Sequence, residues 1–311
     1  MYPRSCEEEL TVSTNNILFI TLSNIGDVIL TLPTLEAIHV KYPRAMIDIV
    51  GDKKSLILFK NCPYVNKIIE KNKDSGIKGL VKLILTLRQT RYDLAIDLRT
   101  DGLLYFIRSK IKLHKYSNKS TKDLHAVEKH FLVIKDIVDK AISKPKIWLS
   151  RDEKNISSRV LGKNVDRKIL ALGLGANYEG KIWPVDSFLK LAGRLKPYFD
   201  IVMLIGNKQD NKLAIEFQSM YEGDTINCSG QHNLLETASL LSKALFFVGN
   251  DSGLGHIASA VNIKSLTIFG PGEPWRYRPW GDKGIWIQSS DLKINSVNPD
   301  QAADEIISFL K

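Results

Sequence analysis

Apolar runs of four to six residues alternate with longer segments of helical period almost throughout the chain. Short apolar runs separated by amphipathic helices are the pattern of βα units and of mainly parallel sheets. In the first half the pattern predicts strands at "ILFIT" from Ile17, "MIDIV" from Met46, "KIIE" from Lys67, "LAIDL" from Leu94 and "IKLH" from Ile111. Helical patterns fall between them, notably Val28 to Lys41 and Gly79 to Gln89. The pattern then restarts, with strands predicted at "KILALG" from Lys168, "DIVMLIG" from Asp200, "TINC" from Thr225, "ALFFVG" from Ala244 and "SLTIFG" from Ser265. Helices are predicted over Pro184 to Lys196 and Leu234 to Ser242.

Two successive sets of this kind imply an α/β chain of two doubly wound, Rossmann-like domains, 1–150 and 151–311, with the boundary near residues 142–167. The stretch "SKPKIWLSRDEKN" reads as the connector. There is no repeat of solenoid period and no low-complexity tract. Ligands of open α/β sheets bind beyond the carboxyl ends of the strands. Two such domains facing each other would share a cleft, so the residues that follow each strand are the candidates for chemistry.

Composition narrows the classes. With 311 residues and 44% hydrophobic content the chain can bury a sizeable core. Its longest apolar runs, such as "ILFITL" from Ile17, fall far short of the roughly 20 residues that span a bilayer. The start "MYPRSCEEEL" is acidic where a signal peptide is basic, so the expected residence is the cytoplasm. Cys6, Cys62 and Cys228 lie far apart and suggest neither a disulfide framework nor a zinc site. The net charge of +10 is uneven, since residues 1–150 hold 25 Lys and Arg against 16 Asp and Glu. Six of those cations fall in "RSKIKLHKYSNKSTK", Arg108 to Lys122, which has no acid. That segment is either a solvated face or a surface for an anionic partner, such as a phosphorylated substrate or an acidic membrane face. Tyr116 is its single aromatic residue and no nucleic-acid motif accompanies it, so nucleic acid is not an expected partner.

Several strand ends carry candidate groups. Asp27 in "SNIGDV" opens a helix after the first strand, as a first-turn carboxylate or as a general base. Asp97, near the end of "LAIDL", reads first as a capping residue and second as a site residue. In "LGLGANYEGKIWP" the glycines let backbone approach a ligand, and Lys181 offers a point charge to a phosphate. Asp210 after "LIGNKQ" is a helix cap or a ribose ligand. After "ALFFVG" the run Asn250, Asp251, Ser252, Gly253 opens a helix whose first amides favour an anion, with Ser252 and His256 as further donors to a diphosphate. Gly253, Gly255 and Ala258 also match G-x-G-x-x-A, with Glu273 twenty residues past Gly253. A NAD-dependent oxidoreductase is therefore an alternative, although the match falls in a late βα unit.

Taken together, "ILFITLSNIGDVILTLP", "KYPRAMIDIVG", "YDLAIDL", "HAVEK", "KIWP" and "NDSGLGHIASAVNIKSLTIFGPGEP" resemble glycosyltransferase family 9, the heptosyltransferases of bacterial lipopolysaccharide synthesis. The last block is the most specific. The resemblance implies a GT-B fold, with an acceptor-binding N-terminal domain and a nucleotide-sugar-binding C-terminal domain. It implies inverting, metal-independent transfer from a nucleotide sugar, usually ADP-heptose, to a lipopolysaccharide core or another glycan, with no cofactor. By the same resemblance Asp27 is the catalytic base, and Lys181, Asp251, Ser252, Gly253 and His256 hold the donor. Asp210 stands where an acid meets the ribose, and Asn177 and His232 match more variable donor-loop positions. Lys110, Lys112 and Lys115 are the candidate contacts to an anionic acceptor or to the inner face of the inner membrane. A non-catalytic sugar-nucleotide or glycan-binding protein of the same fold is the remaining alternative.

Overall fold

The computed structural model describes residues 14–72, 74–99, 102–115, 123–139 and 141–311. It divides into two compact units between Trp148 and Leu149.

The first unit holds five strands, β1 (Asn16–Ile20), β2 (Met46–Gly51), β3 (Val65–Glu70), β4 (Tyr92–Asp97) and β5 (Ser109–His114). They pair in parallel in the order β3-β2-β1-β4-β5. Central β1, "NILFI", is buried from Ile17 to Ile20, as a strand covered on both faces requires. The helical pattern at Val28 to Lys41 resolves into two helices, Ile25–Ile29 and Leu32–Lys41. The break has a local cause. Pro33 lies in the first turn of the second helix and has no N–H to continue the first. Thr31, between them, donates its hydroxyl to the Val28 carbonyl at 2.7 Å. The helix expected at Gly79 begins a turn earlier and spans Gly76–Arg88, because the Asn72 side chain accepts the Asp74 and Ser75 amides (2.9 and 3.2 Å) and turns the chain into it.

The second unit holds β6 (Ile169–Gly173), β7 (Ile201–Leu204), β8 (Thr225–Asn227), β9 (Phe246–Asn250), β10 (Lys264–Phe269) and β11 (Gly284–Gln288), parallel in the order β11-β10-β9-β6-β7-β8. Edge strand β11, "GIWIQ", escapes the pattern because only Ile287 is fully buried, leaving no alternation to read. The connector expected over "SKPKIWLSRDEKN" holds in its first half only. Ser150 and Glu153 form a capping box, the Ser150 amide donating to the Glu153 carboxylate at 2.7 Å, and the helix Arg151–Leu161 starts there. The core of this unit gathers around Trp183, Phe188, Phe217 and Phe246. Helix Val185–Leu195 supplies Val185, Phe188, Leu191, Ala192 and Leu195 to it, the i, i+3, i+4 spacing of one apolar face.

Candidate functional site

In the second sheet the chain runs outward from β6 to β8, then crosses back to β9 and runs the other way. The loops after β6 and β9 therefore diverge at their carboxyl ends and leave the crevice in which open α/β sheets take ligands. Both loops carry predicted residues. Lys181 ends the short turn Glu179–Lys181 after β6, and Asp251 follows β9 directly. Their side chains meet, Lys181 Nζ lying 2.5 Å from Asp251 Oδ2, with the lysine 24% and the aspartate 13% exposed. Tyr178 places its ring 5.7 Å from the same ammonium. A cation is thus fixed in a partly dehydrated position, where its attraction for an anion is screened less than in open water.

The two loops are tied by Asn250, which the sequence places in the helix-opening run without giving it a role of its own. Asn250 is fully buried at the end of β9. Its Oδ1 accepts the Trp183 amide at 3.1 Å, and its Nδ2 donates to the carbonyls of Leu174 (2.8 Å) and Gly175 (3.3 Å). One side chain thereby holds both ends of the Lys181 loop against the Asp251 turn. Gln288 does the same for the loop after β10, donating to the carbonyls of Gly270 and Gly272 at 2.6 and 2.9 Å. A polar residue closing an otherwise apolar strand is the signal for Asn250. Gln288 ends a strand with no clear pattern, so nothing marks it.

Ser252 is the N-cap of the helix Gly253–Ala260, yet its hydroxyl makes no cap bond. That hydroxyl is buried and has no hydrogen-bond partner among the described residues. The first amides of the helix have no acceptor within it, and its dipole adds partial positive charge at this end. Lys181, the Ser252 hydroxyl and the amides from Gly253 on therefore present donors at one strand end, an arrangement suited to a diphosphate. His256 lies in the first turn of this helix and is buried. The G-x-G-x-x-A match falls inside the helix, of which Gly253 is the first residue, and does not span a strand-to-helix turn. Gly255 serves packing, since a Cβ there would stand 3.1 Å from Thr267 Oγ1 and 3.3 Å from Pro279.

Asp210 occupies the N-cap position of helix Asn211–Met220 without capping it. Its Oδ2 instead accepts the Asn207 amide at 2.8 Å. The carboxylate fills the space over Gly175 and Gly206, where an added Cβ would collide with it. These glycines thus make room for Asp210, a different use from the ligand approach expected of the "LGLG" turn. Burial raises the Asp210 pKa above the ordinary aspartate value, and the Asn207 amide opposes the rise. His232, just before the N-cap of helix Leu234–Leu241, sets Nδ1 3.6 Å from Glu236 and buries Nε2 with no hydrogen-bond partner among the described residues. Asn177 is exposed on the β6 loop.

In the first unit the strand order reverses between β1 and β4. Asp27 lies half-buried in the first turn of helix Ile25–Ile29, after β1, and accepts a hydrogen bond from Asn24 Nδ2 at 2.9 Å. Asp97, buried at the end of β4, accepts the Arg99 amide at 2.8 Å, and Arg99 pairs with Asp52 at 2.8 Å. Its observed role is the local turn. Lys110 is held by Asp93 at 2.8 Å, and Asp93 also accepts the Asn15 and Asn16 amides. Lys112 and Lys115 are exposed at edge strand β5. The rest of the basic segment, residues 116–122, lies outside the described residues. Among the described residues no cluster of three His, Cys, Asp or Glu has the arrangement to hold a metal ion.

Residues 100–303 match the sequence profile of Glycosyltransferase family 9 (heptosyltransferase). Lipooligosaccharide heptosyltransferase 2 of Haemophilus influenzae is 28% identical over 306 residues, covering 88% of this chain and 88% of that protein. Among solved structures, a family 9 glycosyl transferase from Veillonella parvula superposes with a TM-score of 0.85 at 19% identity, covering 96% of this chain and 98% of its own. E. coli ADP-heptose lps heptosyltransferase II superposes with a TM-score of 0.81 at 22% identity, covering 95% and 98%. The fold is GT-B, two Rossmann-like units in one chain.

Proposed function

This chain belongs to glycosyltransferase family 9, and we propose that it transfers a heptosyl residue from ADP-heptose to a lipopolysaccharide core, with inversion at the anomeric carbon and without a metal ion. The observation that carries the reading is the Lys181–Asp251 pair beside the uncommitted Ser252 hydroxyl and the Gly253 helix end, at the strand switch of the second unit. The relatives support the sugar and the nucleotide, since the Haemophilus protein is named for heptosyl transfer and the E. coli one for an ADP-heptose donor. On this reading residues 151–311 bind the donor and residues 1–150 the acceptor.

Asp27 takes the proton of the acceptor hydroxyl as its oxygen attacks the anomeric carbon. The bond from that carbon to the diphosphate breaks on the opposite face, and ADP leaves with the electron pair. Negative charge grows on the departing phosphate, where Lys181, the Ser252 hydroxyl and the helix amides stabilise it. For Lys181 to bond the phosphate, Asp251 must share its ammonium or release it. Asp210 serves the ribose, and His232, Asn177 and His256 complete the donor pocket. Lys112 and Lys115 face the anionic acceptor, with Lys110 committed to Asp93. Such an acceptor is lipid-linked, which places the enzyme at the cytoplasmic face of the inner membrane.

Thermal shifts with ADP, UDP, GDP, CDP and NAD test the donor. A ligand at about 100 times its Kd adds roughly 2.7 kcal/mol, which is several degrees for a unit of this size. Selective stabilisation by ADP in the presence of a chelator is expected. Stabilisation by NAD alone would overturn the reading in favour of an oxidoreductase.

A further inference from the structure

The helix Gly76–Arg88 carries more apolar surface than its packing uses. Leu83 and Leu87 are buried against the sheet in one cluster with Leu18, Tyr92 and Leu104. Farther round the same helix Ile77, Val81 and Leu85 recur at every fourth residue, which sets them on one face. All three are exposed, Ile77 at 81% and Leu85 at 60%. Lys78 and Lys82 flank this strip in the open, and among the described residues neither has a carboxylate partner. From Ser75 to Tyr92 the chain has four cations and no acid.

A second element extends the face. The turn Leu103–Phe106 buries Leu103 and Leu104 in the same cluster and is joined to the helix by Arg88, whose Nε donates to the Phe106 carbonyl at 3.0 Å. Because the turn lies in the same layer, its outward side chains extend the helix surface, and these are Tyr105, 80% exposed, and Phe106.

We propose that this face docks on an anionic lipid bilayer, with the helix lying in the plane of the headgroups. An apolar strip edged by cations and free of acids is the pattern of an interfacial helix, its apolar side entering the acyl boundary while the lysines meet lipid phosphates. Tyr105 and Phe106 are amphipathic and apolar rings of the kind that settle at that depth. Charge decides against a second copy of the chain, because the face laid on itself would oppose lysines to lysines with no acid between them. No helix of the described residues is long and apolar enough to cross a membrane, so the contact is peripheral. The helix leads from the carboxyl end of β3 to the amino end of β4, which puts Ile77 toward the sheet edge that bears Asp27. The purpose of docking rests on the proposed lipid-linked acceptor; the docking itself does not.

Co-sedimentation with vesicles of equimolar phosphatidylglycerol and phosphatidylcholine, against vesicles of phosphatidylcholine alone, tests the proposal. The wild-type protein is expected to pellet with the anionic vesicles and to stay in solution with the neutral ones. Leu85→Asp, and separately Lys78→Glu with Lys82→Glu, should each lower the bound fraction about tenfold or more. Both should keep the wild-type melting temperature and the shift caused by ADP, and Ile215→Asp, an exposed apolar site on the other unit, should bind as wild type. Absence of wild-type binding to anionic vesicles, or unchanged binding by both variants, would overturn the proposal. So would a wild-type dimer that Leu85→Asp dissociates without any vesicle binding, which would give the face to a second copy. Vesicle binding with no ADP shift would leave the docking standing and count against the donor reading alone.

Discussion

Lys181 and Asp251, from loops seventy residues apart in sequence, form an ion pair of 2.5 Å across the strand switch of the second unit. The pair fixes the lysine where a diphosphate would arrive. Removing it should cost binding more than stability, since a partly exposed pair contributes little to folding while a charge-assisted bond to phosphate contributes about 1.5–3 kcal/mol. Lys181→Met is expected to weaken ADP binding about 10-fold to 100-fold by titration calorimetry, with a melting temperature within a few degrees of wild type. Unchanged affinity would remove Lys181 from the donor site.

Asn250 should behave in the opposite way. Its side chain makes three hydrogen bonds at zero exposure, and truncation leaves the Trp183 amide and the Leu174 carbonyl buried without it. Asn250→Ala should cost about 2–4 kcal/mol, from the lost bonds and the unsatisfied groups. For a unit of this size that lowers the melting temperature by roughly 5–15 °C. Asn250→Asp should be at least as costly, because it keeps the acceptor, loses the donor and buries a charge.

Asp27→Asn should separate chemistry from binding. The asparagine keeps the shape and can still meet Asn24, but it takes no proton. A general base contributes about 100-fold to 10,000-fold, and a loss of that size with an unchanged Kd for ADP is the expected outcome. A variant with full turnover would disprove the assignment.

Acid should weaken the first unit through His130. This histidine is fully buried, and its pKa falls from 6.5 to about 3, first through burial and then through the nearby Lys115, His125 and Lys129. The unfolded chain binds the proton from pH 6.5 downward while the folded chain resists it, so stability is present above pH 6.5 and is lost as the pH falls toward 3. Each unit of pH in that window removes at most about 1.4 kcal/mol. His130→Leu should flatten the dependence of the urea midpoint between pH 7 and pH 5, leaving only the slope of the other groups.

The legible parts of the fold were those in which burial imposes a period. β1, β4, β6, β9 and β10 are buried along nearly their whole length, and each is readable as a short, mainly apolar run. β11 was not, because an edge strand with an exposed Trp286 needs no such run. Asp27, Lys181, Asp251 and Ser252 were legible as residues following strands, where the topology leaves side chains for function. Their partnerships were not, since the Lys181–Asp251 pair and the Asn250 bonds join segments that only the parallel crossovers bring together. The glycines of "LGLG" show the same limit: their spacing suggested room for a ligand, and Asp210 fills the space at Gly175.

The reaction itself separates a heptosyltransferase from every other reading. Incubation of the protein with ADP-heptose of β configuration and heptose-deficient lipopolysaccharide core, in the presence of a chelator, should release ADP and add one heptose to the acceptor by mass spectrometry. NMR of the product should show an α linkage, as inversion requires. No transfer from ADP-heptose to any core acceptor would contradict the account. A β-linked product would keep the transferase and discard the single-displacement role of Asp27.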